Sequence, residues 1–458
     1  MSDYPGKDNE EINEGEEWLV GGGPQNISQK SNTRILKEAE ENIENYRKGE
    51  VEITFVDQNE NLLTDFEINI KQTESEFTFG APLYEPHKAY RENSFESTYF
   101  ANYTRLFTDI FNMGTALCYW NERNDPWVEK YQGKQRIEPF VFSVDWAKAQ
   151  GLKVKGHPLV WSVPKAVPDW LLKYDYETQM KFLEVRVRDI ISAVKGKVDM
   201  WDLVNEALWE PSWRHIPERE WPHLESIEEI LTYIEPAMKW VWDEDPGAKY
   251  TINEYGLVYD LGVEEVTAGR QRKRMIELLK ALKARSLTPD RLGVQAHTGG
   301  AWYSPADVKA VLDELSVVNI PIQITEFWAH LSDYPERAEE DSSVLEEKKA
   351  QYVKDFYTVA FGHPNVTSIS YWGFSDLLEH KGGSQLNPKP AYERLYDLIH
   401  NQWRTEKSIK TDGQGKISFN GFYGTYELQY RNKEGKICSL PFNLIKGRSN
   451  NEKITIFD

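Results

Sequence analysis

Eight short apolar runs recur along the middle of the chain, and stretches with helical spacing separate them. The runs are "FTFGAPLY" (77–84), "FNMGTALCYW" (111–120), "KVKGHPLVW" (153–161), "VDMWDLVNEA" (198–207), "KYTINEYG" (249–256), "RLGVQAHT" (291–298), "IPIQITEFW" (320–328) and "VTSISYWGF" (366–374). Segments such as "RQRKRMIELLKALKARS" and "PADVKAVLDELSVVN" lie between them. Parallel strands need a long crossover, and a helix is its usual form, so this alternation predicts a parallel sheet. Eight repeats predict an α/β fold in which the sheet closes as a (β/α)8 TIM barrel.

The two ends of the chain follow a different pattern. Residues 33–48, "TRILKEAEENIENYRK", have helical composition and follow a polar, Gly-containing lead-in. "VEITFVD" and "FEINIKQ" then alternate apolar and polar residues, as half-buried strands do. After Trp403 the alternation returns in "KISFN", "GTYELQY" and "ITIFD", with turn signals in "DGQG" and "NKEG". Neither end has enough strands for its own core. The expected division is a lead-in and helix over 1–48, a catalytic barrel over 77–404, and a small accessory β-sandwich built from 49–76 and 405–458.

Charge narrows the partners. The net charge is −20 and the pI is about 5.1, a surface that repels nucleic acid and anionic lipid. No uninterrupted apolar run is long enough to span a bilayer. The first residues, "MSDYPGKDNEEINEGEEWLVGGG", are acidic and lack a signal-peptide core, which leaves the compartment open. Cys118 and Cys438 fall in different expected domains and make no disulfide framework. Sixteen Trp give many flat faces of the kind that stack on sugar rings. The expected partner is a polysaccharide or oligosaccharide, with no nucleic acid, membrane or cofactor, and the chain acting as a monomer.

In a barrel of this kind the reacting groups stand at the carboxyl ends of the strands. There the runs deliver His157 and Trp161, Asn205 and Glu206, Asn253, Glu254 and Tyr255, Gln295 and His297, Glu326 and Trp328, and Trp372. No Ser/His/Asp or Cys/His arrangement stands out. Two carboxylates across a barrel mouth suit glycoside cleavage, in which one protonates the leaving oxygen and the other attacks or activates water. Glu206 and Glu326 are the strongest pair. Glu254 competes, because "INEY" repeats the Asn-Glu dipeptide. His157, His297, Glu206 and Glu326 form a conceivable metal set, but no close pair has ligand spacing such as H-x-H, so no metal is expected.

At these residues the chain resembles glycoside hydrolase family 10, the endo-β-1,4-xylanase family. "GHPLVW" with "PDWL", "WDLVNEA", "GVQAH" and "IQITEF" match four of its motifs in order, within residues 77–404. The resemblance implies a retaining, endo-acting hydrolase of β-1,4-linked polysaccharide, most simply xylan, and a secreted or cell-envelope location. It implies Glu206 as acid/base and Glu326 as nucleophile. Asn205 would bind the 2-hydroxyl of the reacting sugar. His157, Trp161 and Gln295 would line that subsite, His297 would hydrogen-bond the nucleophile, and Trp372 would form an aromatic wall.

The chain also departs from the family pattern. The second-strand E-N-x-x-K-W element is replaced by "TALCYWNERNDPW", with Leu117, Cys118 and Asn121 at its key positions. Tyr119, Trp120 and Arg123 are the residues available to rebuild that grip. Ser162 stands for a His. Trp328 stands for the Asp that orients the histidine, and the second Trp after strand eight is absent from "SDLLEHKGGSQLNP". Tyr255 is available to hydrogen-bond a neighbouring carboxylate. Trp209, Trp213 and Trp221 are candidates for stacking on leaving-side sugars, and Arg214 and His215 for recognising an acidic branch. The alternatives are the same mechanism on a different glycan, or a non-catalytic carbohydrate-binding protein on a retained barrel.

Overall fold

The structure, a computed structural model, describes residues 31–457 except 122–128, 164–165, 209–225, 261–265, 299–301, 334–340 and 381. Trp209, Trp213, Trp221, Arg214, His215 and Arg123 therefore lie outside the described residues.

Eight parallel strands close into a barrel. In chain order they are Thr78–Pro82, Met113–Leu117, Lys153–His157, Met200–Asn205, Lys249–Glu254, Arg291–Val294, Ile322–Phe327 and Val366–Tyr371. Each pairs with its sequence neighbours, and the eighth pairs with the first to complete the ring. The first, second and seventh strands are buried at every position, as expected of strands covered on both faces. The third apolar run is broken. Pro158 has no N–H to donate, and beyond it the chain continues against the fourth strand, with Leu159 N donating to Asp202 O at 3.0 Å and Val160–Trp161 forming a two-residue strand. Gly156 is required where the third and fourth strands meet, because a Cβ there would fall 2.2 Å from the buried Trp201 ring.

The intervening helices form the outer layer, and side chains cap their starts. Asp175, Ser226, Thr267, Ser304 and Asp341 each accept a backbone amide of the first helical turn. Ser226 and Glu229 form a full capping box.

The helix Asn32–Arg47 belongs to this layer as well. Its Ile35, Ala39 and Ile43 are buried in the barrel's main apolar core. Arg47 donates to the carbonyls of Phe361, His363 and Val366, which locks the helix end to the last helix–strand turn.

Both chain ends then build the sandwich. One sheet is ordered Lys416–Phe422, Lys48–Val56, Asn451–Thr455. The other is ordered Glu406–Lys410, Glu67–Ser75, Gly424–Arg431, Ile437–Leu444. Their inner faces share a core of Val51, Ile53, Phe55, Ile68, Ile70 and Tyr426 with neighbours. Buried Gln72 ties this module to the barrel's exit. Its side chain donates to Tyr423 O and accepts from Thr405 N, and its carbonyl accepts from Arg404.

Candidate active site

The fourth strand ends at Asn205, and Glu206 follows with φ +56°. This left-handed backbone is unusual for a non-glycine residue and costs roughly 1 kcal/mol. The fold sustains it partly because the Glu206 amide donates to Asn253 O at 2.9 Å. The Glu206 carboxylate accepts from Trp161 Nε1 at 2.8 Å and from Gln295 Nε2 at 3.0 Å.

Glu326 lies in the seventh strand and is buried. Its Oε1 accepts from Asn253 Nδ2 at 2.8 Å, and its Oε2 is bonded to His297 Nε2 at 3.0 Å. With both oxygens engaged, the carboxylate is held in one orientation.

The two carboxylates are linked through amides. Asn253 Nδ2 also donates to Asn205 Oδ1 at 2.7 Å, and Gln295 Nε2 donates to the same Oδ1 at 3.3 Å. Two donors onto one oxygen fix the Asn205 amide orientation. Asn253 is fixed in turn by Thr325 Oγ1, which donates to its Oδ1 at 2.6 Å. Gly293 makes room for this link, since a Cβ there would fall 2.4 Å from Asn253 Oδ1.

His157 ends the third strand and is buried. Its Nδ1 is bonded to Asp202 Oδ2 at 2.8 Å, and Lys155 Nζ pairs with Asp202 Oδ1 at 2.8 Å. Burial pushes the Asp202 carboxyl up, but Lys155 and His157 together hold it below the usual range.

Aromatic rings wall the site. Trp372 lies edge-on to His157 at 5.1 Å and to His297 at 6.3 Å between ring centres. Tyr119 packs on Trp161 at 5.6 Å and edge-on to His157 at 5.6 Å. Leu117, Tyr119, Trp161 and Trp372 form one small cluster that Trp328 joins.

Of the residues singled out in sequence, Glu206, Glu326, Asn205, Gln295, His297, His157, Trp161, Trp372 and Tyr119 therefore meet at the barrel mouth. Tyr255 is half-buried after the fifth strand, its amide donating to Glu254 Oε1 and its carbonyl accepting from Gln271. Glu254 is fully buried and also accepts the Leu208 amide at 3.0 Å. It staples the backbone after the fourth strand to the fifth.

Three participants had no role assigned from sequence: Asn253, Asp202 and Lys155. The signal for the last two was available, because a charged residue inside an apolar strand must find a buried partner. Among the described residues, no group of three or more His, Cys, Asp or Glu side chains is arranged to hold a metal ion. Nor is any helix among them long and apolar enough to cross a membrane.

Comparison with known proteins gives a consistent result. The sequence model for glycosyl hydrolase family 10 matches residues 84–398, more than half of the chain. Anti-sigma-I factor RsgI6 of Acetivibrio thermocellus is 26% identical over 401 residues, covering 86% of this chain and 46% of that protein. The match reaches beyond the barrel into the terminal elements. A β-1,4-xylanase of Dictyoglomus thermophilum is 27% identical over 321 residues, covering 65% of this chain and 86% of the relative. Among solved structures, the family 10 enzyme of Paenibacillus barcinonensis superposes with a TM-score of 0.53 at 20% identity, over 71% of this chain and 95% of that one. Xylanase 10B of Thermotoga petrophila, solved with xylobiose, gives 0.52 at 19% identity, over 71% and 95%. At these identities the structural likeness speaks for the fold.

Proposed function

The chain belongs to glycosyl hydrolase family 10, and on that premise we propose that it is a retaining, endo-acting hydrolase of β-1,4-linked xylan. The observation that carries the reading is the pair itself. Glu206 and Glu326 end two different strands of one barrel mouth, and the amides of Asn253, Asn205 and Gln295 join them.

In this reading Glu326 attacks the anomeric carbon from one face of the sugar. Glu206 protonates the glycosidic oxygen as the C–O bond breaks, and the leaving-side chain departs. Glu206, now a carboxylate, takes a proton from water as that water displaces Glu326 from the glycosyl-enzyme. Configuration is retained because the carbon is inverted twice. Asn205 Nδ2 would donate to the hydroxyl beside the reacting carbon, a contact that strengthens as charge develops. Trp372, Trp161 and Tyr119 would exclude water and pack the ring.

Reducing ends released from linear xylan, glucuronoxylan, arabinoxylan, mixed-linkage glucan and mannan test this. Release is expected from a xylan and is expected to vanish in Glu326→Ala. Release from a non-xylan alone would keep the mechanism and replace the substrate.

A second reading draws on the extended match to an anti-sigma factor. The chain would then be a non-catalytic carbohydrate-binding protein on a retained barrel. Binding without release, in both wild type and Glu326→Ala, would favour it.

A further inference from the structure

The residue two beyond Glu326 is Trp328, where the family pattern carries an aspartate to orient the histidine. Among the described residues, the hydrogen bond of the His297 ring is the one to Glu326. Beside it runs a polar chain that starts at a buried lysine and ends in an indole.

Lys349, on the helix Ser342–Gly362, is wholly buried and forms an ion pair with Asp376. Asp376 lies in the short helical turn Phe374–Leu377 after the eighth strand. Its Oδ2 also accepts from Trp328 Nε1 at 3.3 Å. The indole lies against Gly373, where a Cβ would fall 2.5 Å from Nε1 and Cε2, so backbone and carboxylate fix the ring between them.

Trp328 is tied to His297 twice. Along the backbone the two residues form a parallel bridge, with Thr298 N donating to Trp328 O at 3.1 Å and Trp328 N to Ala296 O at 3.4 Å. Through side chains, Trp328 packs on His330 at 4.1 Å and stands 6.2 Å from the His297 ring, with Trp372 at 6.3 Å from His297. A buried ammonium is costly unless it is paired. Here its partner has a second task, which is to accept from an indole beside the reacting carboxylate.

We propose that Lys349 and Asp376 are positioning residues: they clamp the Trp328 indole, and Trp328 holds His297 against Glu326 in place of a carboxylate. The proposal rests on Glu326 being the nucleophile.

Trp328→Phe keeps a ring and leaves the Lys349–Asp376 pair intact while deleting the indole N–H. Asp376→Asn strips the charge opposite Lys349 and carries the greater folding risk, so Trp328→Phe is the primary variant. On a soluble aryl xylobioside, kcat is expected to fall about tenfold with KM within about twofold, the signature of an interaction made in the transition state. The double variant is expected to be no worse than the worse single, because both act through one link. A crystal structure of Trp328→Phe is expected to show the His297–Glu326 bond lengthened beyond about 3.5 Å, outside hydrogen-bond range.

An unchanged His297–Glu326 bond in that structure, or wild-type kcat in Trp328→Phe, overturns the proposal. The crystallographic result does not depend on turnover. A wild type that cleaves no xyloside, with the bond lengthened in the variant, would overturn the xylanase reading and leave the clamp supported.

Discussion

Two histidines stand at the barrel mouth, and they are held in opposite ways. His157 is buried and backed by Asp202, whose charge Lys155 balances from the neighbouring strand. His297 is more exposed, and its polar partner is Glu326 itself, with Trp328, His330 and Trp372 around it. The first is anchored from behind by charge and is fixed whatever happens in the cleft. The second is anchored by packing, so its position depends on the rings and on the carboxylate it serves. A barrel rim can therefore seat a histidine with a buried ion pair or with an aromatic slot. This chain uses one on each side of Trp372.

Breaking the charged side should have the largest effect. Asp202→Ala removes the partner of both Lys155 and His157 and leaves a buried ammonium uncompensated. Urea unfolding is expected to show a loss of about 3–5 kcal/mol. The pH sign follows from the depressed Asp202 carboxyl. Its contribution is complete above the unfolded-state value of about 4 and is lost as pH falls through the lower folded value. Wild-type stability should therefore drop in acid more steeply than that of the variant. Parallel curves below about pH 4 would remove Asp202 as the charged anchor.

Asn253→Ala attacks the other side at its shared donor. Glu326 and Asn205 each lose a hydrogen bond, and kcat/KM on xylan should fall about 100-fold, near 2.7 kcal/mol of transition-state stabilisation. A loss under threefold would mean the amide link is structural only. Gly293→Ala sharpens the same point without removing a polar group. Its Cβ would press on Asn253 Oδ1 and Cα, so stability should fall by about 1–3 kcal/mol, measured by thermal unfolding. Activity should fall with it, because Asn253 must move. Full activity at reduced stability would show that the link tolerates displacement.

Much of this molecule is legible in one dimension, for a definite reason. Buried parallel strands are unbroken apolar runs, and a carboxylate at the end of such a run is conspicuous, as in "DLVNEA" and "QITEF". The barrel and the choice of Glu206 and Glu326 follow from local patterns of that sort. What the pattern hides is partnership across strands. Asn253 serves Glu326 from a strand 73 residues away, and Lys349 reaches Asp376 across 27. No spacing rule encodes either contact. Glu254 competes with the pair in sequence because it copies the Asn-Glu dipeptide, with a supporting role the stronger expectation, and in the structure its oxygens accept the Leu208 and Tyr255 amides. The third run reads as one strand, and in the structure it divides at Pro158–Leu159 into Lys153–His157 and Val160–Trp161. The helix Asn32–Arg47 reads as a separate lead-in, and its apolar stripe is completed by the barrel.

The central claim assigns Glu326 to attack and Glu206 to proton transfer. Azide rescue of the two alanine variants, read by the anomeric configuration of the glycosyl azide formed from an aryl β-xylobioside, tests it most directly. If the assignment holds, Glu326→Ala gives the inverted α-azide, because azide replaces the missing nucleophile. Glu206→Ala then gives the retained β-azide, because azide attacks the glycosyl-enzyme in place of water. The opposite pairing of products, or rescue of neither variant alongside an active wild type, would contradict the account.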